Sequence, residues 1–327
     1  MGATSGHVEP GVVILGVGLW QLFNHMRLFS LRPDSYVAPV WFPARGVRHL
    51  ELIVIIAGSI YELATQLFIG HTYFLPFDAD GSIPSTRLPN HEHAVIFAAL
   101  LAYASYALYL DRRATSRPVA LRRSYTACCM LLLALVFAEE VLMFHFHSTG
   151  DHTGVEGQFH LFVELLAAAC LAGVLLGIAF PRSFAVSLVR SACLAFQGLW
   201  LVIIGGMWVP SLVAKGCSIV HDDERDRDTV RCHTDASLHR AKALVNLLFA
   251  WCMSLLTLFV VTLYLCVSNK YSSSEEEAIC YGRLPVVSSS TADEEEEDLK
   301  KAHKKCGPVQ SGDDDHAHEF MSLAIEV

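Results

Sequence analysis

"NLLFAWCMSLLTLFVVTLYLC", Asn246 to Cys266, is twenty-one residues long and carries no charged side chain. Crossing the hydrocarbon of a bilayer takes roughly 20 mostly apolar residues in a helix. A strand of a closed barrel would instead alternate apolar and polar residues over about ten positions. This run does not alternate, and neither does "LVIIGGMWV" at 201–209. Both read as helix. Working outward at the same length gives seven candidate spans, at about 8–28, 48–70, 91–110, 122–147, 157–180, 186–212 and 238–267. The first has no basic segment before it and no small-residue cleavage site after it, so it reads as a retained helix and not a signal peptide. The expected fold class is all-α, a polytopic membrane bundle of seven transmembrane helices.

Composition agrees. Of 327 residues 53% are hydrophobic and 17% charged, with a mean hydropathy of +0.40, against about 25% charged in ordinary soluble domains. Residues 269–327 hold 14 acidic and 6 basic side chains, so most of the net charge of -9 lies there. Residues 1–268 form the expected seven-helix domain, and 269–327 an acidic cytosolic tail. That tail is too rich in serine and charge, and too poor in aromatics, to fold alone. Arginine sets the orientation. Arg27, Arg32, Arg45 and Arg48 follow the first span, Arg112, Arg113, Arg117, Arg122 and Arg123 follow the third, and Arg182 and Arg190 follow the fifth. The opposite side has Arg87 after the second span and a mixed-charge loop before the seventh. The N-terminus is therefore expected outside and the C-terminus in the cytosol, in the plasma membrane or an endomembrane. The partners expected are the lipid bilayer and a cytosolic partner for the tail, with no nucleic acid. Gly173 and Gly177 form a GxxxG that permits either a homodimer or ordinary packing within the chain. Of the ten cysteines, only Cys217 and Cys232 lie on the expected outer side. A disulfide between them fits an oxidising compartment. The absence of CxxC leaves a zinc ribbon unsupported.

Ionisable groups at membrane depth cost several kcal/mol unless they are paired, coordinated or open to water. They gather in the outer half. The stretch "EEVLMFHFHSTGDHTGVEGQFHLFVELL" (139–166) has five carboxylates, four histidines and neither lysine nor arginine. At the helical rise, Glu62 lies roughly 12 Å below the surface, Glu140 and Glu164 roughly 10 Å, and His160 roughly 5 Å. His91 and His93 open the third span and His239 the seventh. Glu140 and His147 share one helix face, as do His160 and Glu164, and Glu139 points about 100° away from Glu140. Imidazoles and a carboxylate from neighbouring antiparallel helices are the ligand types of a catalytic zinc. The expected metal set is His93, Glu140, His147, His160 and His239, for a divalent or transition metal with zinc first. Glu62 or Glu164 would then be the catalytic general base. Two other readings of the cluster stay open: proton or ion handling, and plain interhelical hydrogen bonding. Carboxylate-bridged di-iron bundles use ExxH, which is absent.

The segments "GHVEPG" (6–11), "RHLELI" (48–53), "HEHAVIF" (91–97), "FHFHSTGDHTGVEGQFH" (144–160) and "FQGLW" (196–200) resemble the transmembrane protein 45 family, a seven-span group also catalogued as a domain of unknown function. The fourth is most similar to its plant branch, some of whose members are named for responses to virus infection. The matching positions are His7, Glu62, His93, Glu140, His147, His160, Gln197 and His239. The resemblance implies a membrane fold and no particular activity. The leading expectation is a metal-dependent enzyme on a lipid-like substrate. A proton- or ion-coupled transporter and a non-catalytic membrane scaffold are the rivals.

Overall fold

The structure, a computed structural model, describes residues 3–68, 77–84, 87–114, 118–150, 154–222 and 227–282. Seven long apolar helices run through it: α1 (Ala3–Leu31), α2 (Leu50–Leu67), α3 (Leu88–Ala114), α4 (Val119–Gly150), α5 (Gly154–Ala179), α6 (Phe184–Gly205) and α7 (Asp235–Gly282). All seven are long and apolar enough to cross a membrane, which makes the chain an integral membrane protein. Contacts divide it into residues 1–268, which hold the bundle, and residues 269–327. Within the second unit, residues up to Gly282 are the end of α7, inside the stretch expected to be tail. Residues 283–327 lie outside the described residues, as does the expectation that they are disordered.

The expectation of an all-α chain needs one correction. Between α6 and α7, two 3-10 turns lead into an antiparallel hairpin, β1 (Cys217–Asp222) and β2 (Arg227–Cys232). "CSIVHD" and "RDTVRC" each carry two adjacent β-branched residues, Ile219 and Val220 in one and Thr229 and Val230 in the other, which suits a strand pair. Cys217 faces Cys232 in the register, and the two form a disulfide. The bridge closes a loop with a sequence separation of 15, and closing a loop of that length contributes about 3 kcal/mol in the chain-entropy description. Cys217→Ser should therefore lower the unfolding temperature, and reductant should lower that of the wild type but not of the variant. A reductant-insensitive wild type would refute the bridge.

Helices α1 and α6 make the closest approach in the bundle, and glycine is the reason. A Cβ on Gly198 would stand 2.2 Å from the backbone nitrogen of Leu15, and one on Gly18 would stand 2.5 Å from that of Ala195. Gly11 and Gly205 meet the partner helix almost as closely. Small residues let membrane helices pack backbone to backbone where lipid gives no hydrophobic drive to associate. The GxxxG of α5 also packs within the chain. Gly173 lies against the Arg190 stem and Gly177 against Met130.

Two apolar clusters fill the interior. Leu52, Tyr103, Phe137, Cys170 and Val174 anchor one. Phe159, Val163, Phe196, Trp200 and Ile204 anchor the other, which reaches Val230 of the hairpin and Ala241 and Val245 of α7. The Trp200 indole N–H donates to the Phe159 carbonyl at 3.0 Å. The Phe162 and Phe249 rings stack 4.1 Å apart, joining α5 to α7. Most of the remaining apolar surface of α7 is exposed, as at Trp251, Leu255 and Leu258, which suits a helix facing lipid.

Candidate functional site

A cavity of about 470 Å³ lies among α1 to α6. Its lining on α1 runs from Gly6 to Gln21, roughly 22 Å at the helical rise. The walls are mostly apolar, with Val13, Val17, Ile55, Phe97, Leu133 and Phe137 among them. Polar groups occupy three levels along this slot.

The first level lies where α1 begins. His7 and Glu9 of α1, Tyr61 and Glu62 of α2, His93 of α3 and His160 of α5 all line it. The Tyr61 hydroxyl donates to Glu9 Oε2 at 2.8 Å. Glu62 is 5% exposed and accepts a long 3.4 Å hydrogen bond from the Thr65 hydroxyl. The His160 ring is buried, meets His7 edge-on at 5.6 Å, and donates from Nδ1 to the Glu156 carbonyl at 2.8 Å. His93 likewise donates from Nδ1 to the Pro89 carbonyl at 2.7 Å. These bonds put a proton on Nδ1 of both rings, so in the neutral form the lone pair of each sits on Nε2. Pro10, also in the lining, cannot donate to the Gly6 carbonyl one turn earlier.

At the second level Glu140 of α4 meets Gln197 of α6. Both are buried, the Gln197 amide donates to Glu140 Oε1, and the Cys170 thiol donates to Gln197 Oε1 at 3.6 Å. Of the twin carboxylates, Glu140 lines the cavity and Glu139 does not, as the 100° turn between them requires. On the wall, the Ser59 hydroxyl is 1% exposed and has no hydrogen-bond partner among the described residues.

The third level, at the opposite end, holds Gln21, Tyr103 and Arg190. Arg190 donates to His25 Nε2 at 3.3 Å and to the Met130 sulfur at 3.7 Å. His25 Nδ1 then donates to the Tyr36 hydroxyl at 2.8 Å. Burial raises the Tyr36 phenol above its ordinary value, so it stays neutral. Glu51 is held separately, accepting from the Gln21 amide at 2.7 Å and the Phe42 backbone N–H at 2.8 Å.

The structure thus brings Glu62, His93, Glu140 and His160 to one cavity and leaves other expected residues elsewhere. Glu164 lies outside the lining, where it accepts from His145 Nδ1 at 2.9 Å. His239 is exposed on α7, also away from the cavity. His147 belongs to α4, but its side chain lies outside the described residues, and His152 lies outside them altogether. Among the described residues, no group of three His, Cys, Asp or Glu side chains is placed to hold a metal ion. The expected five-ligand set is therefore not gathered by the described residues. Sequence spacing missed Glu9, Ser59 and the cavity-facing role of Arg190. Glu9 was hidden because the expected first span begins at about residue 8, which sets Glu9 at the surface, whereas α1 starts at Ala3 and Glu9 meets Tyr61 beside Glu62 in the chain. Arg190 was counted as an orientation signal at the far end of α6, a reading that gives no hint of its burial.

A search of curated proteins finds no match to the chain. A family model matches part of it, from within α4 to within α7. Glu140, His160, Arg190 and Gln197 fall in the matched stretch, while His7, Glu9, Glu62 and His93 come from outside it. Residues 126–265 match a family of unknown function, DUF716, the group to which the transmembrane protein 45 resemblance points, and that stretch is a DUF716 domain.

Proposed function

We propose that the protein is a membrane enzyme that admits a lipid-like substrate to the α1–α6 cavity and acts on it with the carboxylate–imidazole set. One observation carries this reading. A long apolar slot, within the 300–1,000 Å³ range usual for ligand sites, concentrates Glu62, Glu140 and two tautomer-fixed histidines between apolar walls. Burying ionisable groups together at membrane depth costs free energy, which favours a functional use for them. Glu62 is the base of choice because, among the described residues, its carboxylate accepts just the long bond from Thr65, which leaves it open to the cavity. His93 and His160 line the same cavity and could relay a proton to or from it. The arginine-rich loops on the side away from this end support an outward-facing active end.

The test is turnover. Wild-type protein reconstituted with a cellular lipid extract should consume a lipid species detectable by mass spectrometry. Glu62→Gln should slow that consumption by roughly 100-fold or more, the scale of a lost general base. An unchanged lipid profile with the wild type would refute the enzyme reading.

A zinc-dependent form of this reading draws on the two histidine tautomers. An imidazole that donates Nδ1–H to a carbonyl and presents Nε2 is the usual arrangement around a metal. Such a centre would combine His160 and Glu140 with His147, and the metal would supply a water acidified toward neutral pH. Elemental analysis of the purified protein should then find near-stoichiometric metal that a His147→Ala/His160→Ala variant lacks. Absence of metal from both proteins would remove the zinc form.

A further inference from the structure

The third level of the cavity has its own chemistry. Arg190 is 5% exposed and, among the described residues that line the cavity, it is the one lysine or arginine. A guanidinium has five N–H donors. The acceptors it meets here, a neutral imidazole nitrogen and a thioether sulfur, carry no charge. No carboxylate of the described residues lies within ion-pair distance of it. The nearby buried carboxylate, Glu51, already has one donor on each oxygen. Buried cations are normally paired, because an isolated one is costly to desolvate. Gly173 and Gly177 of α5 let this side chain pack close to the α5 backbone, since a Cβ on Gly173 would stand 3.0 Å from the Arg190 Cβ and one on Gly177 3.8 Å from a guanidinium nitrogen. Two buried hydroxyls, those of Tyr103 and Ser59, line the same slot, and the latter has no partner among the described residues.

We propose that Arg190 is the seat for the carboxylate of a long-chain fatty-acid-like ligand, whose hydrocarbon chain runs along α1 toward Glu140 and Glu62. A planar guanidinium takes a carboxylate through two parallel N–H bonds. Its single positive charge matches one negative charge, whereas a phosphate monoester would bring nearly two. The length agrees as well. One leaflet of acyl chain spans half of a hydrocarbon core of about 30 Å, and the roughly 22 Å lining along α1 can hold it. Gln197 lies two turns beyond Arg190 on α6, roughly 10 Å away. The catalytic set therefore meets the ligand along its chain and not at its head. This assignment rests on the lipid-cavity reading and names the substrate class for it.

The test compares head groups on full-length protein in neutral phosphatidylcholine nanodiscs. Radiolabelled palmitate should bind ~10–100-fold tighter than methyl palmitate, the range expected for one charge-assisted bidentate contact. Arg190→Gln should abolish that preference, and Arg190→Lys should keep part of it. Equal binding of palmitate and methyl palmitate by the wild type would overturn the Arg190 seat and leave the cavity reading standing. Stronger binding of a single-chain phosphate lipid than of palmitate would overturn the carboxylate assignment. Binding of none of the three would sink the cavity reading itself. The wild-type comparison decides even where Arg190→Gln fails to fold.

Discussion

Gly198→Val should leave little folded protein. The new Cβ would enter the space 2.2 Å from the Leu15 nitrogen and 2.7 Å from the Gly11 carbonyl oxygen. Those neighbours are backbone, which cannot rotate aside as the tip of a side chain can. Relief requires α1 and α6 to separate along their whole contact, which would open the cavity wall they share. Overpacking a core typically costs 1–3 kcal/mol, and a clash against helix backbone should reach the top of that range or exceed it. Expression level and thermal unfolding in detergent report the loss. Gly16→Ala is the matched control, because nothing lies within 4 Å of the added Cβ there, and it should unfold at or above the wild-type temperature. If Gly198→Val unfolded where the wild type does, the close α1–α6 packing would be wrong.

The second large effect concerns the pair at the middle of the cavity. Gln197→Ala should destabilise by roughly 1–3 kcal/mol, the cost of leaving a buried polar group without its partner. The group left behind is the Glu140 carboxyl, which accepts from the Gln197 amide. Replacing both residues with leucine should restore most of that stability, since two apolar side chains of similar size leave nothing unsatisfied. Turnover should respond differently. The double variant should lose it despite its restored stability, because it removes Glu140 from the site. A double variant less stable than Gln197→Ala would show that Glu140 keeps polar partners of its own, beyond Gln197 and the Cys170 thiol that donates to Gln197. A fully active one would remove Glu140 from the reaction.

The fold was legible because bilayer physics leaves few options. Runs such as 246–266 can satisfy their backbone in hydrocarbon only as helices, so all seven spans could be read from hydropathy. Their ends could not, because helices extend past the hydrocarbon by amounts that composition does not set. α1 starts at Ala3 and α4 runs to Gly150, each beyond its apolar core. The hairpin was missed for another reason. Its strands are short and mixed in charge, and pairing depends on a partner strand that a linear scan does not weigh. Within the site, depth along each helix placed Glu62, Glu140 and His160 at one cavity, because rise per residue is nearly constant. Rotation about the helix axis was harder to infer across helices. Glu164 shares a face with His160, yet it turns to His145, and nothing in its spacing distinguishes the two outcomes.

Glu156 makes two attachments from one residue. Its side chain accepts the Val230 backbone N–H at 2.8 Å, and its carbonyl, one turn before His160, holds the imidazole at Nδ1. The hairpin and the His160 ring are therefore fastened to the same point on α5. The disulfide-closed hairpin and the cavity lining thus share a mechanical linkage one residue wide.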